Sequence, residues 1–164
     1  MDNQKLQDLL SYLLKHNECE WIEYKHNFHS PEEIGERLSA LSNGACLQHQ
    51  PEGYLVFGIE DESRKMIGTT FKAKSAKKGN ENLEHWLANR LSPKLDFFVD
   101  EFECDNKHFV IYRIPAAKTE PVKFLNTAYV RVGSVTRKRN PKSGENRALI
   151  SKKKMQKINC RPQM

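Results

Sequence analysis

Two groups of carboxylates in this sequence stand where a chain could do chemistry with them. Glu18, Glu20 and Glu23 fall beside a predicted strand, and Glu60, Asp61 and Glu62 fall at the end of another. Asp61 emerges where a buried strand should end, a common place for a functional side chain. Three converging carboxylates would suit Mg²⁺ or Mn²⁺, hard cations that take oxygen ligands. A cation so held can polarise a phosphodiester and activate a nucleophile. The spacing imposes a condition. Side chains alternate along a strand, so Glu18 and Glu23, five residues apart, would oppose each other in a straight one. They converge only if Glu18 lies in the turn before the strand. A chain with 21 acidic residues in 164 produces such clusters by chance, and taken alone these read as solvated or turn carboxylates.

Other chemistries find less support. The six histidines form no HxH or HExxH pattern, and no serine or cysteine lies in a nucleophile elbow. There is no P-loop signature. Cys19, Cys46, Cys104 and Cys160 are far apart, with no CxxC pair and no histidine at zinc spacing. They read as lone thiols of a reducing compartment. Trp21 and Trp86 read as core residues rather than base-stacking platforms.

The net charge of +6 hides an asymmetry. Met1 to Ala117 carries 14 Lys+Arg against 19 Asp+Glu, whereas Lys118 to Met164 carries 13 against 2. A basic end on an acidic body suits a polyanion partner, because each cation near a phosphate releases condensed counterions. No apolar run approaches the ~20 residues of a membrane helix, and MDNQKLQDLL lacks a signal pattern. A cytoplasmic protein with no membrane partner is expected.

The elements that would position these groups are legible in outline. Leu6, Leu9, Leu10, Leu13 and Leu14 give residues 2–16 an amphipathic helical stripe. Trp21 to Lys25 reads as a strand. Ser30, Pro31 and Glu33 form an N-cap, N1 proline and capping-box carboxylate for a helix carrying Ile34, Leu38, Leu41 and Ala45. Gly53 to Ile59 reads as a strand buried on both faces, followed by a strand over Met66 to Phe71. Residues 72–82, with Lys77 and Lys78, read as an exposed basic loop. A third helix carries Leu83, Trp86, Leu87 and Leu91 and stops before Pro93. Residues 95–104 and 107–114 bracket Asp105-Asn106 as a hairpin, and Ala128 to Val135 is a last strand. Strands and helices mix without a βαβ rhythm, so the fold class is α+β, a mixed β-sheet with flanking helices. One domain is expected over residues 1–137, then a basic segment over 138–164, partly helical from Asn146 or disordered.

The pieces ECEWIEYK, ALSNGA, GYLVFGIED, IGT and AYVRVGSVTR, in this order and spacing, resemble the Schlafen AlbA-2 domain over residues 15–137, as a short, single-lobe, prokaryotic-type member. The resemblance implies an α+β lobe and, from members that cut transfer or ribosomal RNA, a catalytic and metal-binding trio at Glu18, Glu23 and Asp61 with Mg²⁺ or Mn²⁺. Lys25 matches the motif lysine and Asn43 the asparagine at the helix end. The leading expectation is a metal-dependent endoribonuclease acting on tRNA-like RNA as a homodimer, since larger Schlafens join two lobes into a clamp. Lys25, Asn43, Lys77, Lys78, Arg131, Arg137, Lys138 and Arg139 are the expected nucleic-acid contacts. The alternative is a non-catalytic DNA- or RNA-binding module or transcriptional regulator, as many bacterial members are described. A third, weaker reading is an interaction domain clipped from a longer protein.

Overall fold

The structure is a computed structural model that describes residues 1–139. Its elements follow in the order α1 (Asn3–Leu13), β1 (Ile22–Lys25), α2 (Pro31–Leu47), β2 (Glu52–Phe57), β3 (Lys77–Lys78), β4 (Glu81–Asn82), α3 (Leu83–Ala88), β5 (Leu91–Ser92), β6 (Phe98–Cys104), β7 (Lys107–Pro115), β8 (Lys123–Phe124), β9 (Thr127–Val132) and β10 (Val135–Lys138). The main sheet has the order β1-β2-β7-β6, with β1 and β2 parallel and the other pairs antiparallel. A second sheet, β10-β9-β8-β5, is antiparallel throughout. The class is α+β.

Alternation along β2 explains the layering. Tyr54 and Val56 point to the face covered by Leu6, Leu10 and Leu13 of α1, together with Ile22 and Tyr24 of β1. Leu55 and Phe57 point to the other face, under Ile34, Leu38 and Leu41 of α2, with α3 and the second sheet beyond. A strand with apolar residues on both sides must be covered on both sides, as the run GYLVFGI predicted. At Asp105 and Asn106, φ is 52° and 63°. Two successive left-handed residues make the tight turn whose twist suits a hairpin, and β6 and β7 pair across it.

Four local expectations are corrected. Met66–Phe71 is not a strand; only Met66 bridges, to Ile59, and the chain then runs as an irregular segment. Leu91 lies in β5 rather than in α3, which ends at Ala88. Lys77 and Lys78 form a short strand, not a loop. The last strand is a hairpin: Gly133, with φ 60°, breaks it, and Val135 pairs back on Val132. This pairing carries the second sheet through Lys138. The remainder of the expected basic segment, and its expected helix from Asn146, lie outside the described residues.

Asn43 is fully buried in α2 and joins the helix to the second sheet. Its amide donates to the carbonyls of Val122 (3.0 Å) and Tyr129 (2.8 Å), and its oxygen accepts the Val122 N–H at 2.8 Å. Asn43→Ala should cost about 2–3 kcal/mol, because it strands buried backbone groups and leaves a small void. Urea denaturation of the two proteins measures this. A loss under about 1 kcal/mol would mean that the sheet satisfies those groups by itself.

Candidate active site

The three carboxylates are carried by the edge strand β1 and by the segments at its two ends. Glu18 reaches its position because the chain before β1 folds back along the free edge. The Cys19 N–H donates to the Ile22 carbonyl at 3.0 Å, and the Tyr24 N–H, which points away from β2, donates to Glu18 Oε1 at 2.9 Å. The condition set by the five-residue spacing is therefore met: Glu18 lies in the turn before the strand. Gly44 permits this approach, since a Cβ there would come within 1.9 Å of the Glu20 carbonyl oxygen.

Glu23 sits between Ile22 and Tyr24, which face α1, so its side chain turns toward α2. It is only 5% exposed. Arg37 Nε lies 2.8 Å from Oε2 and 3.1 Å from Oε1, and its N–H is directed at Oε1. Arg131 Nη1 lies 3.3 Å from Oε1. Oε2 remains a buried oxygen without a hydrogen bond.

Asp61 is exposed, in the turn that follows β2. The Gly58 and Ile59 N–H groups donate to the Lys25 carbonyl, which bends the chain over the end of β1. Arg64 then fastens the turn, its Nη1 donating to the carbonyls of Leu14 (3.2 Å) and His16 (3.1 Å). Those carbonyls lie just before Glu18, so the turn that carries Asp61 is tied to the segment leading into Glu18.

Glu18 is intermediate in burial between Glu23 and Asp61. Its half-buried carboxyl is raised above the usual carboxylate range, first by burial. The Tyr24 N–H and the Arg131 charge oppose the rise, while the charges of Glu23 and Asp61 add to it. A carboxyl that holds its proton more tightly in the fold favours folding at low pH, and that contribution is lost as pH rises through the raised value. Glu18→Gln keeps an oxygen for the Tyr24 N–H. It should melt no lower than the parent at pH 7, with the difference shrinking as pH falls below the ordinary glutamate value, where both are neutral. Melting curves across that range check this; a variant clearly less stable at pH 7 would show that the charge itself is needed.

Among the described residues, no three His, Cys, Asp or Glu side chains stand close enough to hold a metal ion. The expected convergence of the trio on one metal is therefore corrected: Glu23 is paired with Arg37 and Arg131 instead. Glu18 and Asp61 are oxygen donors on the open side, and Mg²⁺ commonly takes one or two carboxylates and completes its shell with water and substrate phosphate.

The expected nucleic-acid contacts divide. Lys77, Lys78, Arg137 and Lys138 are exposed, Lys78 pairing with Glu32 at 3.0 Å and lying over the Trp86 ring. Lys25 is bound to Glu33. Arg139 is half-buried, and its N–H donates to Ala128. Two are corrected. Asn43 is spent on the buried backbone bonds described above. The Arg131 side chain is fully buried. Its Nε donates to the Cys19 carbonyl (2.8 Å), Nη2 to the Ile22 carbonyl (3.3 Å) and Nη1 to Thr136 Oγ1 (3.0 Å). It clamps the Glu18–Glu23 loop to the β9–β10 hairpin. Arg37 escaped the sequence reading: four residues after Glu33 on a helix, it looks like a surface ion-pair residue.

Among solved structures, the DIP2311 protein from Corynebacterium diphtheriae aligns at TM-score 0.51 and 19% identity, over 90% of this chain and 29% of that one. The chain thus spans under a third of that protein's length, and the likeness shows the fold. The N-terminal domain of a RecG-related protein from Nitrosomonas europaea aligns at TM-score 0.46 and 20% identity, over 84% of this chain and 94% of that domain. No curated protein matches the chain. The Schlafen, AlbA_2 family matches residues 18–140, from Glu18 through the whole acidic site and both sheets to just past β10. The chain belongs to the Schlafen, AlbA_2 family.

Proposed function

We propose that the chain is a metal-dependent endoribonuclease that cuts structured, tRNA-like RNA. The observation that carries this reading is Glu18 folded back on β1, accepting the Tyr24 N–H, beside the buried Glu23, with Asp61 in the turn that bends over the end of the same strand. Phosphates would be repelled by such a site unless a cation intervened. Glu18 and Asp61 would hold Mg²⁺ or Mn²⁺, which when bound supplies Lewis-acid polarisation of the phosphodiester. Glu23, locked by Arg37 and Arg131, acts as a positioning residue: it fixes the strand from which the Glu18 loop hangs. Arg137 and Lys138, exposed on the hairpin that Arg131 ties to this loop, would meet the RNA backbone. A single lobe offers half of a clamp, and two-fold pairing is the common way to complete one; we propose a homodimer on the RNA. The decisive assay incubates the purified chain with total transfer RNA in Mg²⁺, Mn²⁺ or EDTA and reads a denaturing gel. Discrete fragments that vanish with EDTA are expected, and intact RNA in every lane would defeat the reading.

A non-catalytic DNA- or RNA-binding module is the second reading. Its support is the double ion pair on Glu23, which leaves no closed cage of three carboxylates. Both readings expect binding to weaken steeply with salt. If ~5 phosphates are neutralised, the log–log slope of affinity against salt should be about −4 or steeper. Fluorescence anisotropy with a labelled RNA hairpin in EDTA measures it, and a flat response would remove the basic end as the binding surface.

A further inference from the structure

A line of alternating charges runs beside the acidic site: Lys25, Glu33, Arg37, Glu23 and Arg131. Within it, one oxygen, Glu33 Oε1, serves two cations at once. It accepts from Lys25 Nζ and lies 3.3 Å from Arg37 Nη2. Lys25 and Arg37 are each 19% exposed and Glu33 is 24% exposed, so all three are reached from solvent. They line a pocket at the start of α2 with Asn27, His29 and Ser30, over a floor of Leu55 and Phe57.

We infer that this pocket is a phosphate subsite that Glu33 occupies in the free protein, its carboxylate standing where a phosphate of the substrate would sit between Lys25 and Arg37. A carboxylate oxygen shared by an ammonium and a guanidinium is the arrangement that a phosphate oxygen makes with the same pair. The start of a helix adds favourable potential for an anion. About 10 Å³ of room remains beside Glu33, enough for one water-sized group, so no phosphate enters until Glu33 swings out. Glu33 is a long side chain in the first turn of α2, and these two cations are the partners it would release. Arg37 also contacts Glu23, which sets the subsite next to the acidic site. A strand cut at Glu18 and Asp61 would place a neighbouring phosphate here. This last step rests on the proposed function; the subsite does not.

Inorganic phosphate is the first probe, titrated against chloride at constant ionic strength and followed by backbone amide shifts. Glu33→Gln keeps the shape but releases both cations. It should bind phosphate at least tenfold more tightly than the parent, with shifts confined to residues 25–37. Adding Lys25→Gln should erase the gain, whereas Glu36→Gln, one turn along the same helix face, should not produce it. A melting curve confirms that each variant is folded. Equal phosphate affinity in the parent and Glu33→Gln, or a gain that survives loss of Lys25, overturns the subsite. A second arm measures RNA affinity in EDTA. Tighter RNA binding by Glu33→Gln supports the subsite as part of the RNA path. Tighter phosphate binding with unchanged RNA affinity supports the subsite and counts against the endoribonuclease reading.

Discussion

Asp61→Asn should abolish metal-dependent RNA cleavage, by at least about 100-fold, while leaving the protein folded. The loss follows from the charge: even substitutions around metal ligands commonly cost 10–100-fold, and an amide in place of a ligand carboxylate removes the attraction that holds a hard cation. Folding should be spared because Asp61 is exposed, and because its turn is fastened by Arg64 and by the Glu60 and Lys65 backbone rather than by Asp61 itself. RNA binding in EDTA should persist or tighten, since a negative charge that faced phosphate has gone. The check is a time course of transfer RNA cleavage in Mg²⁺ and Mn²⁺, beside a thermal melt. Cleavage at the parental rate would assign the activity to another site or to a contaminant. A melt lowered by many degrees would leave the charge argument to Glu18→Gln, whose oxygen still accepts the Tyr24 N–H.

The largest effect on stability should come from Arg131→Met. Removing one partner of a buried ion pair costs roughly 3–5 kcal/mol, because it leaves the other charge buried. Arg37 remains on Glu23, which argues for the lower end. Against this, the Cys19 and Ile22 carbonyls and Thr136 lose a donor in the same step. About 3 kcal/mol is a large part of the 5–15 kcal/mol by which domains are stable. Arg131→Lys should recover only part, because an ammonium cannot reproduce a planar fork that serves four groups. Adding Glu23→Gln to Arg131→Met should recover at most a small part, because Arg37 already pairs that charge and the Cys19 and Ile22 carbonyls still lack their donor. Denaturant unfolding of the parent, Arg131→Met, Glu23→Gln and the double variant forms the cycle, with Arg131→Lys measured beside it. If Arg131→Met costs under about 1 kcal/mol, the residue is not the clamp between the acidic loop and the hairpin.

The local sequence settled whatever depends on neighbours in the chain. Ser30 and Pro31 start α2 and the Asp105-Asn106 pair turns the hairpin, each through backbone geometry that a few residues set. The apolar run of β2 required cover on both faces, and this implied the layered α+β arrangement without saying which helix lay on which side. Residue type and spacing alone left the carboxylates as solvated groups; the resemblance singled out Glu18, Glu23 and Asp61, and the spacing set the condition that Glu18 leave the strand, which it does. Tertiary structure decided how the charges pair. Arg131 looked like an exposed basic residue of the last strand, in a segment rich in Lys and Arg; its burial depends on β9 crossing under the Glu18–Glu23 loop, over a hundred residues away in the chain. Asn43 likewise matched a motif, but its bonds run to Val122 and Tyr129 of a distant sheet. The run at 66–71 carried strand-like residues, yet forms no ladder: the Ile67 and Gly68 N–H groups both donate to the Gly58 carbonyl, the Thr69 N–H to His108 and the Thr70 N–H to the Asn27 side chain. Strand pairing and ion pairing are contacts between remote segments, so residue type alone sets neither partner.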